Sequence, residues 1–350
     1  IIKEYNMTSF ESDYNNGAHP KVLQHIIDTN NISSKSYGYD EWSNNAKKKI
    51  RLACNCPNAE IYFLAGGTQT NATVIDAMLS SYEGVVAADT AHINVHESGA
   101  IEAYGHKILT LPSHNGKIDA KELRTFLYSF HNDPTCDHMV YPGMVYITFP
   151  TELGTIYTGE EIKNIYSICK EYNIPLYVDG ARLGYGLMAK ECDINLEWLC
   201  KHCDAFYIGG TKVGALCGEA VVFTHGNTPK HFFSIIKRHG ALLAKSRIAG
   251  VQFDALFTDN LYFEISKHAI DKAHQMRAIF SNAGLKILDS PTNQQFVLLT
   301  NKQMNTLSSY IAFETWEQID CDNTLCRFVT SWATTDEDIE ILNTAIKHII

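Results

Sequence analysis

A chain of 350 residues is long for a single hydrophobic core, so one large domain with a smaller companion is expected. Its 45% hydrophobic and 19% charged residues are ordinary for a soluble globular protein. A net charge of −10 and a pI near 5.8 argue against nucleic acid or an anionic membrane as the main partner.

The first residues carry no basic-then-apolar leader, and no apolar run reaches membrane-spanning length. Ten cysteines show no paired zinc spacing. Cys54 and Cys56 are too close for the usual knuckle. Cys200 and Cys203 form a CxxC that stands alone, late in a helix-like segment. No metal site is expected, and the thiols fit a reduced, cytoplasmic enzyme.

Residues 1–49 are polar and turn-rich. His19-Pro20 leads into a helix, Ser36-Tyr37-Gly38-Tyr39 forms a loop, and Asp40 caps a helix through Trp42 to Ala53. From Glu60 the pattern becomes βα repeats. Ile61–Leu64, Val85–Ala87, Ile108–Leu111, Met144–Thr148, Leu176–Val178, Ala205–Ile208 and Ala220–Phe223 read as strands. Asn71–Ser80, Lys117–Tyr128 and Gly159–Tyr172 read as helices between them. This alternation predicts an α/β fold with a mostly parallel central sheet flanked by helices.

Near Thr258 the organisation changes. Asn260–Ala283 reads as one long helix closed by Gly284. Short strands follow around Ile287, Val297, Ala312 and Phe328, and a last helix is capped by Thr335 with Asp338. The expected division is an N-terminal segment (1–49) contributing to the active site and the small domain, a large domain (50–257) and a small α+β C-terminal domain (258–350).

Two strand ends carry the chemistry. Leu176-Tyr177-Val178 delivers Asp179, with Arg182 close behind; Ala205-Phe206-Tyr207-Ile208 leads to Gly209-Gly210-Thr211-Lys212. Pyridoxal 5'-phosphate needs an amine for its Schiff base and an acid to keep its pyridine nitrogen protonated. On that reading Lys212 carries the cofactor, Asp179 faces the ring nitrogen and Arg182 lies near the ring hydroxyl. Gly66-Gly67-Thr68-Gln69 follows a strand and opens a helix, so its free N–H groups suit the phosphate, and Thr211 could add a hydroxyl. His92, on a polar loop after a strand, is the candidate to stack on the ring and move protons. His96 and Glu97 hold that loop.

With these residues in view the chain resembles the threonine aldolases of the β-eliminating lyase family, fold-type I pyridoxal phosphate enzymes. Asp179-Gly180-Ala181-Arg182 is identical to the family motif, and Gly66-Gly67-Thr68-Gln69 matches its phosphate turn. Ala91-His92-Ile93 with Glu97 matches its stacking histidine and downstream glutamate, and Thr211-Lys212 stands where the family has Ser-Lys. Ser12-Asp13 resembles the serine motif that reaches the substrate carboxylate, Tyr37-Gly38 the family's Tyr-Gly loop, and Arg327 the arginine that grips the α-carboxylate.

Three segments depart from the family. Glu152 stands where a second active-site histidine is found, the lysine loop reads Thr-Lys-Val-Gly-Ala-Leu, and the glycine-rich arginine segment becomes Gly240 to Arg247. In the family that arginine reaches a phosphate across a subunit boundary; here Arg247 or Lys245 could take the part.

The resemblance implies retro-aldol cleavage of threonine or allo-threonine, a small amino-acid substrate, to glycine and acetaldehyde. Arg327 and Ser12 would orient the carboxylate, and His92 or Glu152 would be the base. It also implies a homodimer or homotetramer with sites at the dimer interface. The alternatives are β-elimination, racemisation or transamination on the same cofactor. A nicotinamide-binding oxidoreductase would lack its GxGxxG turn, and a non-catalytic protein on the scaffold would have no use for the site residues.

Overall fold

Seven apolar strands assemble into one sheet in the order β3-β2-β4-β5-β6-β7-β1. They are β1 (Glu60–Leu64), β2 (Glu83–Ala88), β3 (Ile108–Leu111), β4 (Tyr141–Thr148), β5 (Leu176–Asp179), β6 (Ala205–Gly209) and β7 (Glu219–Phe223). The computed structural model describes residues 7–350, so residues 1–6 of the N-terminal segment lie outside the described residues.

The pairs β3/β2, β2/β4, β4/β5 and β5/β6 are parallel, while β7 runs antiparallel to both β6 and β1. Helices cover the sheet, and the central strands are accordingly apolar on both faces: every residue of β5, β6 and β7 is buried. The expected mostly parallel α/β architecture is therefore what forms.

The reversal of β7 matters for the site. Gly209, which ends β6, pairs with Glu219, which starts β7, and Leu64 at the end of β1 pairs with the same glutamate. One edge of the sheet thus collects the ends of β1, β5 and β6 together with the start of β7.

The helices begin where the capping residues place them. Asp40 accepts the Ser43 N–H at 2.8 Å and starts Glu41–Ala53; Thr158 and Glu161 form a reciprocal capping box at the start of Gly159–Glu171. The helix expected from Lys117 to Tyr128 instead runs Ala120–His131. Asp119 accepts from the N–H groups of Lys121 and Glu122, while Lys117 pairs with His114 in a local bridge.

A second, antiparallel sheet follows: β8 (Lys286–Ile287), β9 (Gln294–Thr300), β10 (Glu314–Gln318) and β11 (Asn323–Val329), in the order β10-β11-β9-β8. The strand expected around Ala312 lies at Glu314–Gln318, and Ala312 makes only an isolated bridge to Ser9. A short helix, Asn301–Leu307, was not anticipated, although Thr300 and Gln303 form its capping box. The helix Leu261–Asn282 joins the two halves. Leu261, Tyr262, Ile265, Ala269 and Ile270 pack into the core around the first sheet, and Met276 and Phe280 into the core around the second.

Two glycines let the site edge close. A Cβ on Gly180 would overlap the carbonyl oxygen of Tyr207, and one on Gly209 would overlap that of Ala181. Because the obstacle is backbone, no rotamer change relieves it. Gly180→Ala is expected to cost about 3 kcal/mol or more, read as a lower urea midpoint with an unchanged m-value.

Candidate active site

The gathered strand ends line a cavity of about 300 Å³. Gly66, Gly67 and Thr68 reach it after β1, His92 after β2, Glu152 after β4, Asp179 and Arg182 from the end of β5, and Thr211 and Lys212 after β6. Most of the polar residues singled out in the sequence therefore meet in one place.

Lys212 lies in the loop from β6 to β7. Burial, and then the Arg182 guanidinium, lower its amine to about 8 against the opposing charges of Asp13, Asp179 and Glu219. An amine in that range carries a usable neutral fraction near neutrality, as a nucleophile requires.

Asp179 is 1% exposed and saturated with donors. Its Oδ1 accepts the Ala181 N–H at 2.9 Å; its Oδ2 accepts the Tyr146 hydroxyl at 2.6 Å and Asn71 Nδ2 at 2.9 Å. Burial, then the Asp179 and Glu97 charges, push the Tyr146 phenol well above its ordinary value, so it remains a donor.

Arg182 donates from Nε and Nη2 to the two oxygens of Asp13, at 2.7 and 3.0 Å. Asn293 Nδ2 adds a bond to Asp13 at 2.9 Å. Burial alone would raise the Asp13 carboxyl, but Arg182 and Lys212 together hold it below its ordinary value.

His92 is held by two acids. Its Nδ1 lies 2.8 Å from Glu97 Oε1, and its backbone N–H donates to Glu152 Oε1 at 3.0 Å. Thr148 donates to the same Glu152 oxygen at 3.0 Å. Burial raises the Glu152 carboxyl, and Oε2 of both Glu97 and Glu152 is buried with no partner.

At the opposite end, the helix Gly67–Met78 presents its first N–H groups, those of Gly67, Thr68 and Gln69, which have no carbonyl in the preceding turn. A Cβ on Gly66 would meet nothing within 4 Å, so the space over this turn is open to an anion. The Thr211 hydroxyl is directed elsewhere: it donates to Glu219 Oε1 at 2.7 Å.

Other expected residues stand back from the cavity. Ser12 accepts the Tyr14 N–H at 3.4 Å, next to Asp13. Arg327, on β11, donates to Gln294 Oε1 at 2.9 Å, pairs with Glu314 and lies 4.7 Å from the Trp316 ring centre, while its Nε is buried without a partner.

Tyr37 and Arg247 do not line the Lys212 cavity of their own chain. Arg247 donates to the carbonyls of Ile32 at 2.6 Å and Thr29 at 2.7 Å, and Lys245 lines the same outer recess. Tyr37 lines a separate recess beside Lys47. Among the described residues, no cluster of three or more His, Cys, Asp or Glu could hold a metal ion.

Four partners were missed. Asp13, Asn71, Tyr146 and Glu219 are each ordinary in local sequence and become functional only through long-range contact. Asn71 left a trace, one helical turn after Gly67, and Asp13 another, beside Ser12 in the Ser12-Asp13 pair.

The donor set fits pyridoxal phosphate: a lowered amine, a buried and fully bonded carboxylate, and an open helix N-terminus around one cavity. The beta-eliminating lyase family model matches residues 10–302. The low specificity L-threonine aldolase of a Pseudomonas species is 26% identical over 346 residues, 97% of each chain. That of Pseudomonas aeruginosa is 29% identical over 263 residues, 74% of each chain. The solved structure of Leishmania major threonine aldolase superposes with a TM-score of 0.94 at 35% identity, covering 97% of this chain and 99% of that one.

Glu219 provides a test of the cavity's electrostatics. Burial pushes its carboxyl from 4.5 to about 7, despite the donors Thr211 and Gly210 and the charge of Lys212. The folded chain then keeps a proton that the unfolded chain releases between those values. The stability is full below pH 4.5 and is lost as pH rises through about 7, a change of roughly 3 kcal/mol. The Lys212 window lies higher, between about 8 and 10.5. Urea unfolding of cofactor-free protein from pH 4.5 to 7 should show this decline relative to Glu219→Gln.

Proposed function

Because the chain belongs to the beta-eliminating lyase family, we propose that it is a pyridoxal phosphate-dependent aldolase cleaving threonine or allo-threonine to glycine and acetaldehyde. The observation that carries this reading is the amine of Lys212, lowered to about 8 in the cavity that also holds Asp179.

Lys212 would hold the cofactor's aldehyde carbon, Asp179 its ring nitrogen, and the Gly67, Thr68 and Gln69 N–H groups its phosphate. Thr211 serves by tying the lysine loop to Glu219. When bound, the cofactor supplies a sink for the electron pair left on Cα as the Cα–Cβ bond breaks.

The chain supplies orientation and proton transfer. Arg327 and Ser12 orient the substrate carboxylate, and Arg182, clamped by Asp13, faces the cavity with its charge fixed. The β-hydroxyl must lose a proton as the aldehyde leaves. His92 has Nδ1 committed to Glu97, so Nε2 is the ring atom free to accept it. Glu152 Oε2, buried and without a partner, is the alternative acceptor.

The same reading divides the chain into 1–49, 50–257 and 258–350, and makes the enzyme a dimer or dimer of dimers. Arg247 and Tyr37 then serve a neighbouring copy's site, which fits their distance from their own chain's cavity. Ile32, Tyr37, Tyr39, Phe233 and Leu243 are exposed on the segments that carry them. Ten free thiols fit a reducing compartment, and the proposed location is the cytoplasm. No helix among the described residues is long and apolar enough to cross a membrane.

The decisive experiment is an aldehyde assay on the four threonine stereoisomers with borohydride trapping of the cofactor. The adduct is expected on Lys212, and Lys212→Ala should lower kcat by about 10³-fold or more. Comparing His92→Asn with Glu152→Gln identifies the base by a fall in kcat of about 10²-fold or more. Pyruvate and ammonia from a β-substituted amino acid, with no aldehyde from threonine, would overturn the aldolase.

A further inference from the structure

Asn71 has no assigned part, yet both functional ends of the cavity pass through it. It is 1% exposed on the helix Gly67–Met78. Its Nδ2 donates to Asp179 Oδ2 at 2.9 Å and to Glu97 Oε1 at 2.8 Å. Its Oδ1 accepts the Tyr177 hydroxyl at 3.0 Å. Glu97 Oε1 in turn meets His92 Nδ1 at 2.8 Å. One amide therefore stands between the acid beneath the cofactor ring and the acid behind the histidine.

Chemistry fixes the orientation of that amide. Two ionised carboxylates can only accept, so the NH₂ group must face them. The phenol of Tyr177 must then donate to the carbonyl oxygen. Burial, then the charges of Asp179 and Glu97, push this phenol well above its ordinary value, which keeps its proton in place. Exchanging the amide oxygen and nitrogen would set an acceptor against two acceptors.

We propose that Asn71 is a positioning residue whose amide holds the Asp179 and Glu97 carboxylates side by side, so that one side chain maintains both the ring-nitrogen acid and the support of His92. The proposal rests on the roles given above to Asp179 and His92. Without the two N–H donors, the two acids would face each other in a buried space with nothing between them, and their mutual repulsion would displace them.

The remaining groups around the pair do not substitute for the amide. Tyr146 and the Ala181 N–H donate to Asp179 and not to Glu97, His92 Nδ1 meets Glu97 and not Asp179, and Tyr177 reaches Asn71 itself. Glu152, Glu219 and the phenol of Tyr207 bring no positive charge, whereas Lys212 lies on the cavity side with Arg182. A displaced Asp179 has a weaker hold on the ring nitrogen. A displaced Glu97 no longer meets His92 Nδ1.

The test uses Asn71→Leu, and Asn71→Leu combined with Glu97→Gln, beside the wild-type enzyme. Cofactor affinity is measured by titration. The hydrogen-bonded Nδ1–H of His92 is followed by ¹⁵N-histidine NMR after cofactor removal. Asn71→Leu should weaken cofactor binding by roughly tenfold or more and shift or abolish the His92 signal. Removing the second acid should restore cofactor affinity to within about threefold of wild type, while the His92 signal stays altered.

Failure of the double variant to recover affinity would reduce Asn71 to a packing residue, and so would an unchanged His92 signal in the single variant. Asn71→Ala, which removes both donors without adding bulk or charge, replaces Asn71→Leu if that chain does not fold. A wild-type enzyme without an adduct on Lys212 would instead overturn the assignment of the site, an outcome the cofactor-free NMR distinguishes.

Discussion

Burial of charge around Lys212 is the constraint on which the rest of the structure depends. Asp13, Glu97, Glu152, Asp179 and Glu219 are all less than a tenth exposed, and each would be costly without a donor or counter-charge. Asp13 has the forked Arg182, Asp179 has three donors, and Glu219 has Thr211 and the Gly210 N–H. Burial and Arg182 lower the amine enough to react, and the acids so supplied oppose that shift and keep part of its charge. Glu97 and Glu152, each with one oxygen lacking a partner, are where the cavity keeps unspent acceptor capacity.

The sheet makes this economical, because its topology brings the donors from distant sequence. Tyr146 on β4 pairs in register with Tyr177 on β5, and both phenols are used by the acid–amide network. The antiparallel β7 returns Glu219 to the edge that β6 has just reached. Had β7 been a parallel strand, its first residue would lie at the opposite edge of the sheet, and the lysine loop would lack its anchor. Gly180 and Gly209 then permit the two backbone turns to touch.

The legible part of the sequence was the part whose signal is local. Strands ending in Asp179 and in the Lys212 loop announce themselves as apolar runs stopped by polar residues, and Asp40, Thr158 and Thr335 mark helix starts by capping chemistry. The long helix ended as expected, with Gly284 in the left-handed region at φ +71. What stayed hidden was pairing across the chain. Asp13 looks like a turn residue until Arg182, far along the sequence, closes on it. Asn71 looks like a middling helix residue until two carboxylates arrive, one from the end of β5 and one from the loop after β2. Arg247 is a different case: its residue type suits an anion, while within its own chain its partners are the carbonyls of Thr29 and Ile32. No local pattern distinguishes a guanidinium that binds an anion from one that staples a loop.

The N-terminal segment ties the second sheet, with its separate core, to the site on the first. The Phe10 N–H donates to the Ala312 carbonyl at 2.8 Å, and its own carbonyl accepts the Val329 N–H at 2.8 Å. The Phe10 ring belongs to the core of the second sheet. Asp13, only a few residues on, is bonded to Arg182 of the first unit and to Asn293 beside β9. An extended chain spans about 10 Å in three residues, so a shift of the second sheet cannot be absorbed there without moving Asp13. Arg182 would then lose its counter-charge while still close to Lys212, and that amine would be lowered further. The position of the second sheet, which also carries Arg327, is in this way tied to the reactivity of the lysine in the first.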